Sequence, residues 1–148
     1  MLHRFEEFVT GITECYRYIQ RIKTAEMTDL GLKGTHVMCL FYLNRSPEGL
    51  TAAQLCNFCG EDKAAVSRTV AELEKLGHIH CDLQDGKKYR APLVLTEKGR
   101  QAAGCINGLV EQWVCAGGDG LTDEERAAFY ASLGKIAANL KTKVGKGL

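Results

Sequence analysis

The sequence predicts a mainly α-helical fold with a single small β-hairpin, and three observations carry that prediction. Apolar residues recur at helical spacing near both ends, as in Phe5, Phe8, Ile12, Cys15, Ile19 and Ile22. Between those ends, two shorter helical patterns meet at a turn marked by Gly60. The strongest hairpin signal, Asp85-Gly86, lies between strand-like segments at 78–83 and 89–95.

Each element has its own local cause. The first stripe, widened by Val9 and Tyr16, describes a long helix that needs a helical partner. Asp29-Leu30-Gly31 breaks it, and a second helix is expected from about 33 to 44 on Val37, Leu40, Phe41 and Leu43. Pro47 and Gly49 close that helix. Thr51 with Gln54 then forms a capping box, each side chain satisfying a backbone donor at the helix start. Ala52, Leu55, Cys56 and Cys59 make its apolar face.

Asp62 is a good N-cap for the helix that follows. Val66, Val70, Leu73 and Leu76 form its inward stripe, which leaves Lys63, Ala64, Ser67 and Arg68 pointing outward near its start. Gly77 ends it. Pro92 lacks a backbone donor, so the returning strand belongs at a sheet edge. Ala102, Cys105, Ile106, Leu109, Val110 and Trp113 describe another long helix, ended by Gly117-Gly118-Asp119-Gly120. A second capping box, Thr122 with Glu125, opens the last helix on Phe129, Leu133, Ile136, Ala137 and Leu140. The basic tail 141–148 is expected to fray.

A helix, a tight turn, a longer helix and a hairpin in that order make a winged helix-turn-helix, whose second helix is built to enter the DNA major groove. The expected organisation is one domain over 1–148. Residues 31–96 form the DNA-binding lobe, and 1–30 with 97–148 supply N- and C-terminal dimerisation helices. Two copies let the terminal helices interdigitate across a two-fold axis. They also set two recognition helices about one DNA turn apart, roughly 34 Å, to read a palindromic site.

Composition narrows the classes. A chain of 148 residues buries a core of its own, and 45% apolar with 25% charged residues is ordinary for a globular protein. No apolar run approaches the length of a membrane span. Acidic residues near the start stand where a signal peptide needs an apolar core, so a cytoplasmic protein is expected. Seven cysteines, an odd number without an export signal, read as reduced thiols rather than a disulfide framework. A net charge of +1 does not mark a nucleic-acid binder, and residues 61–90 hold six basic and six acidic side chains. Placement argues for DNA where the sum does not: Lys63 and Arg68 front the helix, while Lys87, Lys88 and Arg90 lie on the hairpin.

The run Val66-Ser67-Arg68, then Leu73-Glu74-Lys75-Leu76-Gly77-His78-Ile79, Asp85 with Arg90, and Leu95-Thr96-Glu97-Lys98-Gly99 resembles the core signature of the MarR family of bacterial transcription regulators. The ordered set is specific even though each piece is common. The resemblance implies a homodimer on double-stranded DNA, most often a repressor. It implies a small-molecule effector, of unknown identity, held between the dimer region and the winged lobe. It also implies that Asp85 and Arg90 brace the hairpin while its basic tip reaches the minor groove. Here Gly86-Lys87-Lys88 occupies the tip and Arg90 stands five residues after Asp85. A lysine tip tracks phosphates more than groove shape.

Ser67 and Arg68, flanked by Lys63 and Ala64, are therefore the first candidates for DNA contact. Arginine can bridge a guanine edge, and serine suits phosphates. Asp85, Lys87, Lys88 and Arg90 are the second set. Cys56-Asn57-Phe58-Cys59 has redox or zinc spacing, but it ends its helix, where the dipole works against thiolate, and no second pair supplies zinc ligands. His78 and His80, expected on one strand face, do not complete a site. Cys15 beside Tyr16 loosely resembles the peroxide-sensing cysteine of some family relatives, against the plainer role of one more apolar position.

Two rival readings remain open: a redox or peroxide-sensing regulator acting through Cys15, and a module for protein contact without DNA. No catalytic, cofactor or metal residue is assigned, and no enzyme is expected.

Overall fold

The computed structural model describes residues 1–83 and 91–145. The chain divides into two compact units, Met1–Leu109 and Val110–Leu148. The first holds α1 (Leu2–Thr28), α2 (His36–Asn44), α3 (Ala52–Cys59), α4 (Lys63–Lys75), β1 (Ile79–Cys81) and β2 (Leu93–Leu95). Helix α5 (Glu97–Gly117) begins there and continues into the second unit, which also holds α6 (Asp123–Gly145).

The core of the first unit gathers one apolar side from each element. Val37, Leu40 and Leu43 of α2 meet Leu55 of α3, Val66 and Leu73 of α4, and Ile79 and Leu95 of the hairpin. Met27 at the end of α1 and Ile106 of α5 are fully enclosed. Leu76 departs from the expected stripe: α4 ends at Lys75, so Leu76 is its C-terminal cap and stands 38% exposed.

The two strands pair antiparallel, with Ile79 opposite Leu95, His80 opposite Val94 and Cys81 opposite Leu93. Leu50, just before α3, adds one rung: its N–H donates to the Leu93 carbonyl at 3.0 Å, and Leu93 N–H returns the bond at 2.8 Å. Gly49 permits this approach. At φ +81°, it lies where a Cβ would stand 2.7 Å from the Leu93 carbonyl oxygen.

Capping sets the helix starts as expected. The Thr51 hydroxyl accepts from Gln54 N–H at 3.3 Å, and Gln54 Oε1 accepts from Thr51 N–H at 2.8 Å. Thr96 caps α5, its hydroxyl accepting from Gly99 N–H at 3.0 Å. In the second unit, the Thr122 hydroxyl accepts from Glu125 N–H at 3.2 Å, and Glu125 accepts from Thr122 N–H at 2.9 Å. Helix α6 runs on to Gly145.

The long helices leave apolar surface uncovered. On α1, Phe5 is 68% exposed and Ile19 50%. On α6, Phe129, Ile136 and Leu140 are exposed as well. Among the described residues, no helix is long and apolar enough to cross a membrane.

Candidate nucleic-acid interface

Helix α4 is presented by the turn before it. Gly60 takes a left-handed conformation at φ +66° and stops α3, its N–H donating to the Cys56 carbonyl at 3.0 Å. Asp62 then caps α4, its carboxylate accepting from Ala65 N–H at 2.8 Å. With Val66 and Leu73 turned inward, Lys63, Ala64, Ser67 and Arg68 all fall on the exposed side. Ala71 extends that exposed row by one turn. The helix front is therefore small, polar and basic, which suits close approach to a groove.

Asp85, Lys87, Lys88 and Arg90 lie outside the described residues. The flanking strands are anchored by buried Ile79, Leu93 and Leu95.

A network absent from the sequence reading joins α4 to α2. Glu72 Oε1 accepts from Lys33 Nζ at 2.6 Å, and Glu72 Oε2 lies 2.9 Å from His36 Nε2. His36 is buried, and its Nδ1 accepts the Lys33 backbone N–H at 3.1 Å. That acceptor role fixes the neutral tautomer, so Nε2 carries the hydrogen and donates to Glu72. The Lys33 and His36 hydrogen bonds hold the Glu72 carboxyl below its usual range. A cavity of about 250 Å3 lies beside this network, with Lys33, Cys39, Cys59, Glu61, Arg68 and Glu72 in its walls.

The thiols of that cavity are poor nucleophiles. Burial, with Cys59 nearby, pushes Cys39 up to about 12. Burial and then the Glu61 charge push Cys59 up to about 11. Cys56 and Cys59 sit on the last turn of α3, as the sequence indicated. Cys15 is exposed on α1 beside exposed Tyr16.

His78 and His80 do not share a face. Gly77, at φ +77°, turns the chain so that His78 precedes β1, donating its N–H to the Leu73 carbonyl at 3.0 Å. His78 is buried while His80 points to solvent. Among the described residues, no cluster of three or more His, Cys, Asp or Glu side chains has metal-binding geometry.

Known proteins share both the core sequence and the architecture. Residues 30–86 match the sequence model of the MarR family. No curated protein matches the chain. A MarR family transcriptional regulator from Listeria monocytogenes, solved with a 26mer DNA, is 26% identical over 94% of each chain, with a TM-score of 0.81. A SlyA-like transcription regulator from the same organism is 26% identical over 93% of each chain, with a TM-score of 0.79. The S. aureus MepR–DNA complex, 16% identical over 89% of this chain and 97% of its own, reaches a TM-score of 0.81 and speaks to the fold alone. With a core, residues 30–86, that matches the family model and an architecture shared over nearly the whole length with solved MarR family regulators, the chain is similar to the MarR family in both sequence and fold.

Proposed function

We propose that the protein is a homodimeric transcription regulator that binds a pseudo-palindromic operator and represses the adjoining genes. The observation that carries this reading is the outward face of α4. Lys63, Ser67 and Arg68 stand together on the first two turns behind the Asp62 cap, with Ala64 leaving room for a groove wall. Arg68 takes a base edge, Ser67 and Lys63 take phosphates, and Lys87 and Lys88, in the segment that the sequence predicts as the hairpin tip, extend the footprint. The Listeria relative solved with DNA supports the same assignment.

The uncovered apolar faces of α1 and α6 supply the second half of the reading. Such stripes favour pairing with a second copy, and pairing doubles the recognition surface. A small-molecule effector acts by favouring one spacing of the two α4 helices over another.

The test is a titration of the protein on a labelled duplex from its own upstream region, at two salt concentrations. Phosphate contacts predict affinity that falls steeply as salt rises. Replacing Arg68 by Ala is expected to weaken binding about fivefold or more. Affinity indifferent to both salt and Arg68 rejects the reading and favours a protein-contact module. The same titration with added peroxide, in the wild type and in Cys15→Ser, tests sensing through Cys15.

A further inference from the structure

Arg68 and Glu72 stand four residues apart on α4, the spacing at which opposite charges on a helix surface pair. Both line the same cavity. An arginine caught in such a pair is turned along the helix and partly neutralised. Yet among the described residues no carboxylate lies within ion-pair distance of Arg68, and Glu72 is committed elsewhere. Lys33 Nζ holds one of its oxygens at 2.6 Å, and His36 Nε2 holds the other at 2.9 Å.

The commitment is built rather than incidental. His36 is 1% exposed, and its ring is oriented by the Lys33 backbone N–H at 3.1 Å. Its remaining hydrogen therefore points at one place, the Glu72 carboxylate. Lys33 comes from the segment leading into α2, so the carboxylate is drawn away from its own helix towards a neighbouring element.

Resting on the reading of α4 as the DNA-facing helix, we infer that Lys33 and His36 are positioning residues for Arg68: by holding both oxygens of Glu72 they keep the Arg68 guanidinium unpaired and available to DNA. The effect is set by what the freed carboxylate would do. An exposed pair at this spacing is weak, enough to reduce DNA affinity about twofold. The uncompensated charge facing phosphates adds to that at low salt. Loss of Lys33 therefore lowers affinity about two- to fivefold, chiefly through Arg68.

A double-mutant cycle separates this from a direct role for Lys33. Wild type, Lys33→Met, Arg68→Ala and the double variant are titrated with a fluorescein-labelled duplex of mixed sequence, by anisotropy at low salt. Lys33 is exposed, and a thermal melt verifies that each variant folds. The expected result is that Lys33→Met weakens binding in the Arg68 protein but changes it less than about 1.5-fold in the Arg68→Ala protein. Adding Glu72→Gln to Lys33→Met is expected to return affinity to within about twofold of wild type.

Equal losses in both backgrounds mean that Lys33 acts by its own charge and overturn the inference. No loss from Lys33→Met also overturns it, while leaving the role of α4 intact if Arg68→Ala still weakens binding. If Arg68→Ala has no effect, the assignment of α4 falls, and the inference with it.

Discussion

Gly99, in the first turn of α5, lies against the backbone carbonyl of His78, and a Cβ on Gly99 would overlap that oxygen. The Thr96 hydroxyl closes the same junction, donating to the Gly77 carbonyl at 2.6 Å and accepting from Gly99 N–H at 3.0 Å. Backbone cannot retreat as a flexible side chain can. Gly99→Ala is therefore expected to destabilise the fold by about 1–3 kcal/mol, read from urea unfolding. Gly104, five residues on, meets nothing within 4 Å. Gly104→Ala is expected to stabilise by about 0.5–1 kcal/mol, and a loss there would contradict the account.

His78 makes stability depend on pH in a defined window. Burial first, and then the Lys98 ammonium, lower its pKa from 6.5. The folded protein thus binds a proton at His78 less readily than the unfolded chain. Above 6.5 both states are neutral there. As pH falls below that value the unfolded chain is protonated first, and stability drops until the folded-state pKa is passed. The slope is at most about 1.4 kcal/mol per pH unit for one proton. His78→Leu, which also removes a buried ring nitrogen lacking a partner among the described residues, is expected to flatten this limb. An unchanged profile would mean that other groups set it.

The buried Cys39 and the half-buried Cys59 are expected to resist alkylating reagents. With pKa values near 12 and 11, Cys39 and Cys59 carry almost no thiolate at neutral pH. Mass spectrometry after iodoacetamide treatment is expected to find both unmodified until the protein is unfolded. Rapid labelling of Cys59 in folded protein would reopen the redox reading of the α3 pair.

The apolar stripe on α1 gives a test of assembly. Ile12 and Ile19 are 40% and 50% exposed in the single chain. If a second copy covers them, burying the half of each that is still exposed contributes about 0.6–1.5 kcal/mol per residue. Ile12→Glu with Ile19→Glu is then expected to yield a folded monomer by sedimentation velocity. A dimer that survives both changes must form through another surface.

What was legible in the sequence was local. The Thr51–Gln54 and Thr122–Glu125 boxes span three residues, so residue order alone specifies the contact and its geometry. The exposed row Lys63, Ala64, Ser67 and Arg68 followed from helical periodicity once Val66 and Leu73 were placed inside. Glu72 was a different matter. Its role is not legible in the sequence, because its partners Lys33 and His36 come from a segment 39 and 36 residues earlier. Periodicity misplaced Leu76 because the stripe outlasts the helix by one residue. His78 was misread because the left-handed turn at Gly77, rather than strand alternation, decides where its ring goes.

The rung between Leu50 and Leu93 has a mechanical consequence. It ties the foot of α3 to the base of the hairpin with two backbone hydrogen bonds, in a place where Gly49 leaves no slack. The hairpin root and the start of α3 are thereby held in register. Any displacement of one relative to the other therefore has to strain or break the pair of backbone hydrogen bonds that they share.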